Sequence, residues 1–469
     1  MSTVAPSTPE NLASTRTFEV VNPANGLPFA DAPDCTDEEL DAAVARAARA
    51  FTSWRVDDDA RRQYLRAAAS ALRASTEDLA PIITREQGKT VGDSRLEIQS
   101  AIEWFEHFAE IDDPVLVIHD DAIARVEVHR RPLGPVAAIT PWNFPIALAI
   151  WKIAPALRAG NTVVLKPSPY TPLSSLKLVE ILAPVLPEGV LNVVTGRDPL
   201  GAKLASHPGI RKISFTGSTA TGKRVAAAAA DDLKRVTLEL GGNDPAIVLD
   251  DADPQAVATG IFWSAMANSG QICMAVKRLY VPRSLAGPIV DVLAANAQFA
   301  RVGDGFEEGV NLGPINNAPQ FERVTRLVQD ALDGGARAVT GGLPESRAGY
   351  FFEPTVLVDV RDDMPVVAEE QFGPVLPVLV YDDLDEAVAR ANDSKYGLGS
   401  SVWTSDPARG AAVAARIEAG TTWINGHLQV APYQPFGGVK WSGLGTENGL
   451  DGLHEFSNIH VIRAPGSAR

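Results

Sequence analysis

Cysteine is nearly absent from this chain: two in 469 residues, Cys35 and Cys273. That scarcity excludes a disulfide-stapled scaffold and any zinc-ribbon or iron–sulfur ligand set, so no metal site is expected. Long hydrophobic runs are missing as well. The most apolar stretch, Phe144 to Leu157, is 14 residues long and holds Lys152 and two prolines. A bilayer-crossing helix needs roughly 20 apolar residues, so no membrane association is expected. Positive charge is in deficit: 42 Lys plus Arg against 58 Asp plus Glu give a net charge of -16. Such a field repels phosphate backbones and argues against a nucleic-acid partner. The lead-in Met1–Arg16 is rich in Ser, Thr and Pro with no apolar run, which reads as disorder rather than a signal peptide and makes the cytoplasm the expected address.

What is present is ordinary globular material, 45% apolar and 21% charged. At about 150 residues per domain, the length suggests two or three domains. Thr36 and Glu39 form a capping box ahead of a helix whose apolar stripe is Leu40, Val44, Ala47, Ala48 and Phe51. Two more helices are expected at Asp58–Leu79 and Ser94–Phe108. Strand-like runs then appear at Val136–Thr140, Thr162–Leu165, Val190–Val194 and Lys212–Phe215, separated by helical segments such as Pro172–Leu186. This alternation argues for an open α/β domain with a mainly parallel sheet. It resumes after Asn243 with strands at Ala246–Leu249, Arg278–Val281 and Thr355–Leu357, and helices at Pro254–Asn268 and Asp383–Asn392. Between the third helix and Val136, Arg125–His129 alternates in the β manner, and its β-rich counterpart is the tail Asn458–Arg463.

Four segments carry candidate chemistry. Gly217 to Lys223 has the spacing Gly-x4-Gly-Lys of a phosphate loop between a strand and a helix, but Arg224 stands where a hydroxyl would meet Mg²⁺. A glycine turn feeding a helix N-terminus still suits a pyrophosphate, and a plain strand-to-helix turn is the alternative. Cys273 follows a helix in a mixed-polarity, glycine-containing turn, a place for a presented nucleophile or for an ordinary small residue. Cys35, among carboxylates at a helix start, reads as an incidental surface thiol. Glu239 ends an apolar strand before two glycines, where burial would push its pKa towards that of a base. Asn143 sits between Pro141 and Pro145, a neutral amide able to hold an oxyanion. Taken singly, each is equally an ordinary turn residue.

Together these residues resemble the aldehyde dehydrogenase superfamily. The resemblance is carried by Thr140-Pro-Trp-Asn-Phe-Pro145, Lys166-Pro-Ser168, Phe215-Thr-Gly-Ser218, Leu238-Glu-Leu-Gly-Gly242 and Gly270-Gln-Ile-Cys273. Glu369-Glu-Gln-Phe-Gly-Pro374, Trp423-Ile-Asn425 and Pro435-Phe-Gly-Gly-Val-Lys-Trp-Ser-Gly443 continue it, in the family's order, from about Asn22 to Asn458. It implies a Rossmann-like cofactor domain (17–113 and 133–240), an α/β catalytic domain (241–441) and a small β oligomerisation element with the C-terminal tail (114–132 and 442–469). Homodimers or homotetramers would follow.

The resemblance implies roles as well. Cys273 would attack the aldehyde carbon, with the Asn143 amide and its own backbone N–H holding the oxyanion. Glu239 would activate the water that hydrolyses the thioester, and Lys152 with Glu447 would relay the proton. Branches that pass the acyl group to coenzyme A or phosphate generally lack this glutamate, so water is the expected acceptor. NAD or NADP would be held by Thr140, Trp142, Lys166, Ser168, Gly217, Ser218, Glu370 and Phe372. Pro169 replaces the family's frequent ribose-gripping glutamate, which opens the site to NADP while leaving NAD favoured. Phe144, Leu148, Trp151 and Phe436 would line an apolar tunnel for an uncharged aliphatic or aromatic aldehyde, with Gln429 or Tyr433 adding one polar contact. The alternatives are a semialdehyde dehydrogenase of the same family, a cysteine hydrolase using one of seven histidines, or a non-catalytic binding member. The hydrolase has no His motif near Cys273, and the non-catalytic reading would have been favoured by loss of Cys273, Glu239 or Asn143.

Overall fold

The computed structural model describes residues 16–466, so of the lead-in Met1–Arg16 only Arg16 falls within it. The capping box forms: Glu39 N–H donates to Thr36 Oγ1 at 3.2 Å and Thr36 N–H to the Glu39 carboxylate at 2.7 Å. It starts the helix Asp37–Trp54, which buries Leu40, Ala43, Val44 and Ala47, while Ala48 lies exposed beside the expected stripe. The helix expected at Asp58–Leu79 is two, Asp58–Ala74 and Thr76–Gln87, with Ser75 between them. Pro81 lacks an N–H and crowds the carbonyl four residues back, which is better borne near the start of a short helix than deep in a long one. The next helix, Val91–Glu110, is capped by Thr90 and extends beyond the expected ends.

The first sheet has six strands in the order Gly443–Leu444, Arg235–Glu239, Lys212–Thr216, Pro135–Ile139, Thr162–Lys166 and Leu191–Val193. All neighbours are parallel except the short Gly443–Leu444 edge, which the distant tail supplies. The inner strands are buried on both faces, which is why they read as nearly continuous apolar runs. A seven-stranded sheet follows, ordered Arg337–Thr340, Thr355–Val358, Val375–Tyr381, Val276–Pro282, Asp244–Val248, Gly399–Trp403 and Thr421–Ile424. Separate apolar clusters fill its two faces, one around Tyr280 and Phe352, the other around Phe262 and Leu279. The fold is therefore α/β, with two open sheets covered by helices.

Arg125–His129 lies within the strand Ala124–Pro132, which pairs antiparallel with the tail strand Ser457–Pro465 and with Leu116–Asp120. This three-stranded sheet leaves Leu116, Ile118, Ile459 and Val461 exposed. Among the described residues no helix is long and apolar enough to cross a membrane, and no group of three His, Cys, Asp or Glu side chains is arranged to hold a metal ion.

Cys35 departs from the sequence reading. It is buried, not a surface thiol. Its N–H donates to Thr195 O at 2.9 Å, which draws the segment before the first helix against the loop leaving Leu191–Val193. Burial pushes its thiol pKa up.

Candidate active site

The segment before Cys273 is held in an uncommon backbone shape. The helix Pro254–Met266 ends, and Asn268, Ser269 and Gly270 follow in succession with φ of 49°, 54° and 71°. Gly270 has no alternative there, because a β-carbon would stand 2.0 Å from Gly373 O. Gln271 is fully buried and braces the turn: its side-chain amide donates to Asn268 O at 2.9 Å and its oxygen accepts from Asn316 N–H at 2.8 Å. The turn delivers a partly exposed Cys273 just before the strand Val276–Pro282.

Asn143, Glu239 and Cys273 line one cavity of about 280 Å³. Asn143 Nδ2 donates to Gln271 O at 2.9 Å, which ties its side chain to the peptide stretch leading into Cys273. Glu239 ends the strand Arg235–Glu239, is 2% exposed, and neither of its oxygens has a conventional hydrogen-bond donor. Burial first, then the negative charge of Glu447, raises its pKa to about 8, while the Cys273 thiol and Lys152 act in the opposite direction. The Cys273 thiol is itself pushed well above its ordinary value, by burial first and then by Glu239.

Behind Glu239 sits the pair Lys152 and Glu447. Lys152 belongs to the helix Ala147–Arg158, buried on every side, and its ammonium donates to Glu447 Oε1 at 2.5 Å and Thr216 Oγ1 at 2.7 Å. Glu447 Oε2 has no donor. The two carboxylates and the ammonium thus form a buried cluster opening from Glu239.

The residues expected to bind a dinucleotide gather at the carboxyl ends of the parallel strands, where open α/β sheets bind ligands. Thr140 follows Pro135–Ile139, Lys166 ends Thr162–Lys166 with Ser168 just beyond, and Gly217 follows Lys212–Thr216. Ser218 caps the helix Thr219–Ala230, its Oγ accepting from Thr221 N–H at 3.3 Å, so the first-turn N–H groups face the strand ends. Lys223, the lysine of the phosphate-loop spacing, instead places its ammonium 3.3 Å from the centre of the Trp441 ring. From the loop ahead of the strand Val375–Tyr381, Glu370 accepts from Gly242 N–H at 3.0 Å and Phe372 meets Trp142 edge to face at 5.3 Å. The buried, unpartnered Thr140 hydroxyl and the buried Lys166 ammonium, which donates to Pro167 O at 3.0 Å, fit a phosphate- and ribose-bearing cofactor. Burial lowers the Lys166 pKa to about 8, against the charge of Asp198.

Phe144, Leu148, Trp151 and Phe436 all line the cavity, with Leu96, Ile272, Met274 and Val430 adding apolar wall. Trp151 packs edge to face on Phe436 at 5.9 Å and stacks on Trp104 at 5.2 Å. Gln429 and Tyr433, expected as polar contacts, are not part of the lining, and Tyr433 is 72% exposed. Its loop turns it to solvent.

Several site residues went unread in the sequence. The buried ion pair Lys89–Glu97, at 2.6 Å, borders the cavity. Lys89 donates to Asn143 O at 2.8 Å and Glu97 accepts from the N–H groups of Ile146 and Ala147, so the pair fixes the loop that carries Asn143. Nothing local in the sequence announces this long-range contact. Lys277 was legible in principle, as a charge inside the apolar strand run Val276–Pro282.

A family model described as "Aldehyde dehydrogenase family" matches residues 11–462. The chain is 40% identical to phenylacetaldehyde dehydrogenase of Pseudomonas fluorescens, over 96% of this chain and 93% of that protein. Among solved structures, an NADP-dependent enzyme of E. coli superposes with a TM-score of 0.93 at 38% identity, covering 96% of this chain and 95% of that one. Betaine aldehyde dehydrogenase of Staphylococcus aureus, solved in complex with NAD+, also gives 0.93 at 32% identity, covering 97% and 93%.

Proposed function

This chain belongs to the aldehyde dehydrogenase family and oxidises an aldehyde to the carboxylic acid, and we propose that it does so through a covalent intermediate on Cys273. The observation that carries this reading is the convergence of Cys273, Asn143 and Glu239 on one apolar-walled cavity.

In this reading Cys273 Sγ attacks the aldehyde carbon, its proton passing to the facing Glu239, whose pKa of about 8 lets it accept and later release a proton near neutrality. The oxyanion of the thiohemiacetal is held by the Asn143 side-chain amide and the Cys273 backbone N–H. A nicotinamide dinucleotide held by the residues named below would supply the hydride acceptor needed for this adduct to become a thioester. Glu239 then takes a proton from the water that hydrolyses the thioester and releases the acid. The unpartnered Glu447 Oε2 receives that proton behind the base, while the Lys152 ammonium holds the other Glu447 oxygen.

Thr140, Trp142, Lys166, Ser168, Gly217, Ser218, Glu370 and Phe372 hold the dinucleotide. We read NAD as preferred, with NADP accepted. Pro169 leaves no carboxylate in the glutamate's place, but Asp198 acts on Lys166 and disfavours an added 2′-phosphate. Residues 17–113 with 133–240, and 241–441, form the cofactor and catalytic domains in this reading. The exposed apolar sheet built from 114–132 and the tail joins copies of the chain into a homodimer or homotetramer.

The walls of the cavity select an uncharged aliphatic or aromatic aldehyde, and the relative acting on phenylacetaldehyde supports the aromatic side of that class. The test is an initial-rate panel of aliphatic, aromatic and carboxylate-bearing aldehydes with each coenzyme. Highest kcat/KM for uncharged aldehydes with NAD is expected. A carboxylate-bearing semialdehyde ranking first would overturn the substrate class, and full activity of Cys273→Ala would overturn the mechanism.

A further inference from the structure

Lys277 is 2% exposed, on the strand that leaves the nucleophile turn, and its ammonium points back at the turn rather than out of the fold. It donates to Ile272 O in a very short hydrogen bond and lies 3.4 Å from Cys273 O and 3.5 Å from Ala275 O. A trans peptide sets its C=O and N–H on opposite sides. The Ile272 carbonyl and the Cys273 N–H belong to one peptide, so holding the first against Lys277 aims the second away from it. On the other side of the turn, Asn143 Nδ2 holds Gln271 O at 2.9 Å. The carbonyls of residues 271 and 272 are thus both engaged.

We propose that Lys277 is a positioning residue for the reaction: its ammonium clamps the Ile272 and Cys273 carbonyls so that the Cys273 N–H faces the oxyanion, and its charge favours the thiolate. The inference rests on the reading of Cys273 as nucleophile. Glu239 and Glu370 act on Cys273 against the thiolate, and Lys277 is the cation acting for it. Lys277 faces Glu370 and Asp244, whose negative charges oppose the burial that lowers its pKa. His427, from the third side, donates from Nε2 to Met274 O at 2.7 Å, and the same nitrogen lies 3.7 Å from Asp244. The ring of Phe372 closes the remaining face, its centre 5.8 Å from the ammonium.

The full-length enzyme with Lys277→Met and Lys277→Gln tests this through two readouts. The first is the pH dependence of iodoacetamide alkylation at Cys273, followed by mass spectrometry; the second is the rate of the first-turnover burst of reduced coenzyme, alongside KM for the aldehyde. For Lys277→Met the alkylation curve moves to higher pH by about half a unit or more, and the burst slows by roughly tenfold or more, with KM little changed. Lys277→Gln keeps N–H donors for the carbonyls without the charge, so it recovers most of the burst but not the alkylation curve. An unchanged curve and burst in Lys277→Met overturn the proposal. If that variant does not fold, an unshifted alkylation curve in Lys277→Gln overturns it equally. Activity surviving in Cys273→Ala would instead defeat the nucleophile reading itself, whatever the Lys277 variants do.

Discussion

Gly270 lies so close to Gly373 that a β-carbon on the first would stand 2.0 Å from the carbonyl oxygen of the second. The contact locks the turn before Cys273 against the loop that carries Glu370 and Phe372. Its φ of 71° independently favours glycine. Gly270→Ala is therefore expected to displace the turn, lowering the first-turnover burst by at least about a hundredfold and reducing Tm. A variant with normal burst and Tm would show that the turn relaxes freely.

The two thiols differ in access. Cys273 opens on the cavity and Cys35 is buried under Thr195. Native protein treated with iodoacetamide should take up a single label, at Cys273, with complete loss of activity. The second label, at Cys35, should appear only in denaturant. Peptide mapping checks the order, and early labelling of Cys35 would contradict it.

Glu239 binds its proton more tightly folded than unfolded, with a pKa near 8 against an ordinary 4.5. Two consequences follow from that sign. The deacylation-limited kcat should climb with pH up to about 8 and level off above it, and Glu239→Gln should show a slowed burst followed by a stalled steady state with no such limb. For stability, the folded state holds the extra proton between the two pKa values, so stability falls as pH rises through that window. Glu239→Gln should then gain Tm over the parent at pH 8 and little at pH 4.5. Equal Tm differences at both pH values would refute the raised pKa.

The pair Lys89–Glu97 is fully buried at 2.6 Å. Removing one partner strands the other charge, so Glu97→Ala should cost about 3–5 kcal/mol in denaturant unfolding. The double variant Lys89→Met with Glu97→Leu should recover much of that stability. It should not recover activity, because the Asn143 carbonyl loses its clamp. Recovery of both would make the pair purely a packing element.

Much of this enzyme is readable in its sequence because the signals are local. The capping box at Thr36, the apolar strand runs such as Val163–Leu165 and the proline-flanked Asn143 each declare themselves within a few residues. The motifs around Cys273 and Glu239 likewise mark strand and helix ends, where open α/β sheets carry their chemistry. Even the β alternation of Arg125–His129 anticipated its pairing with the tail.

What the tertiary structure decided is everything that depends on distance in space rather than along the chain. Burial of Cys35 required a loop some 160 residues away, near Thr195. The same holds for Gly443–Leu444 as an edge of the first sheet, and for Lys89 reaching Asn143. Lys277 is the clearest case. Its sequence position shows only a charge inside a strand, whereas its function depends on which carbonyls the fold turns towards it. Local propensity fixes elements, but desolvation and hydrogen-bond geometry, which set pKa values and aim donors, exist only once the elements have packed.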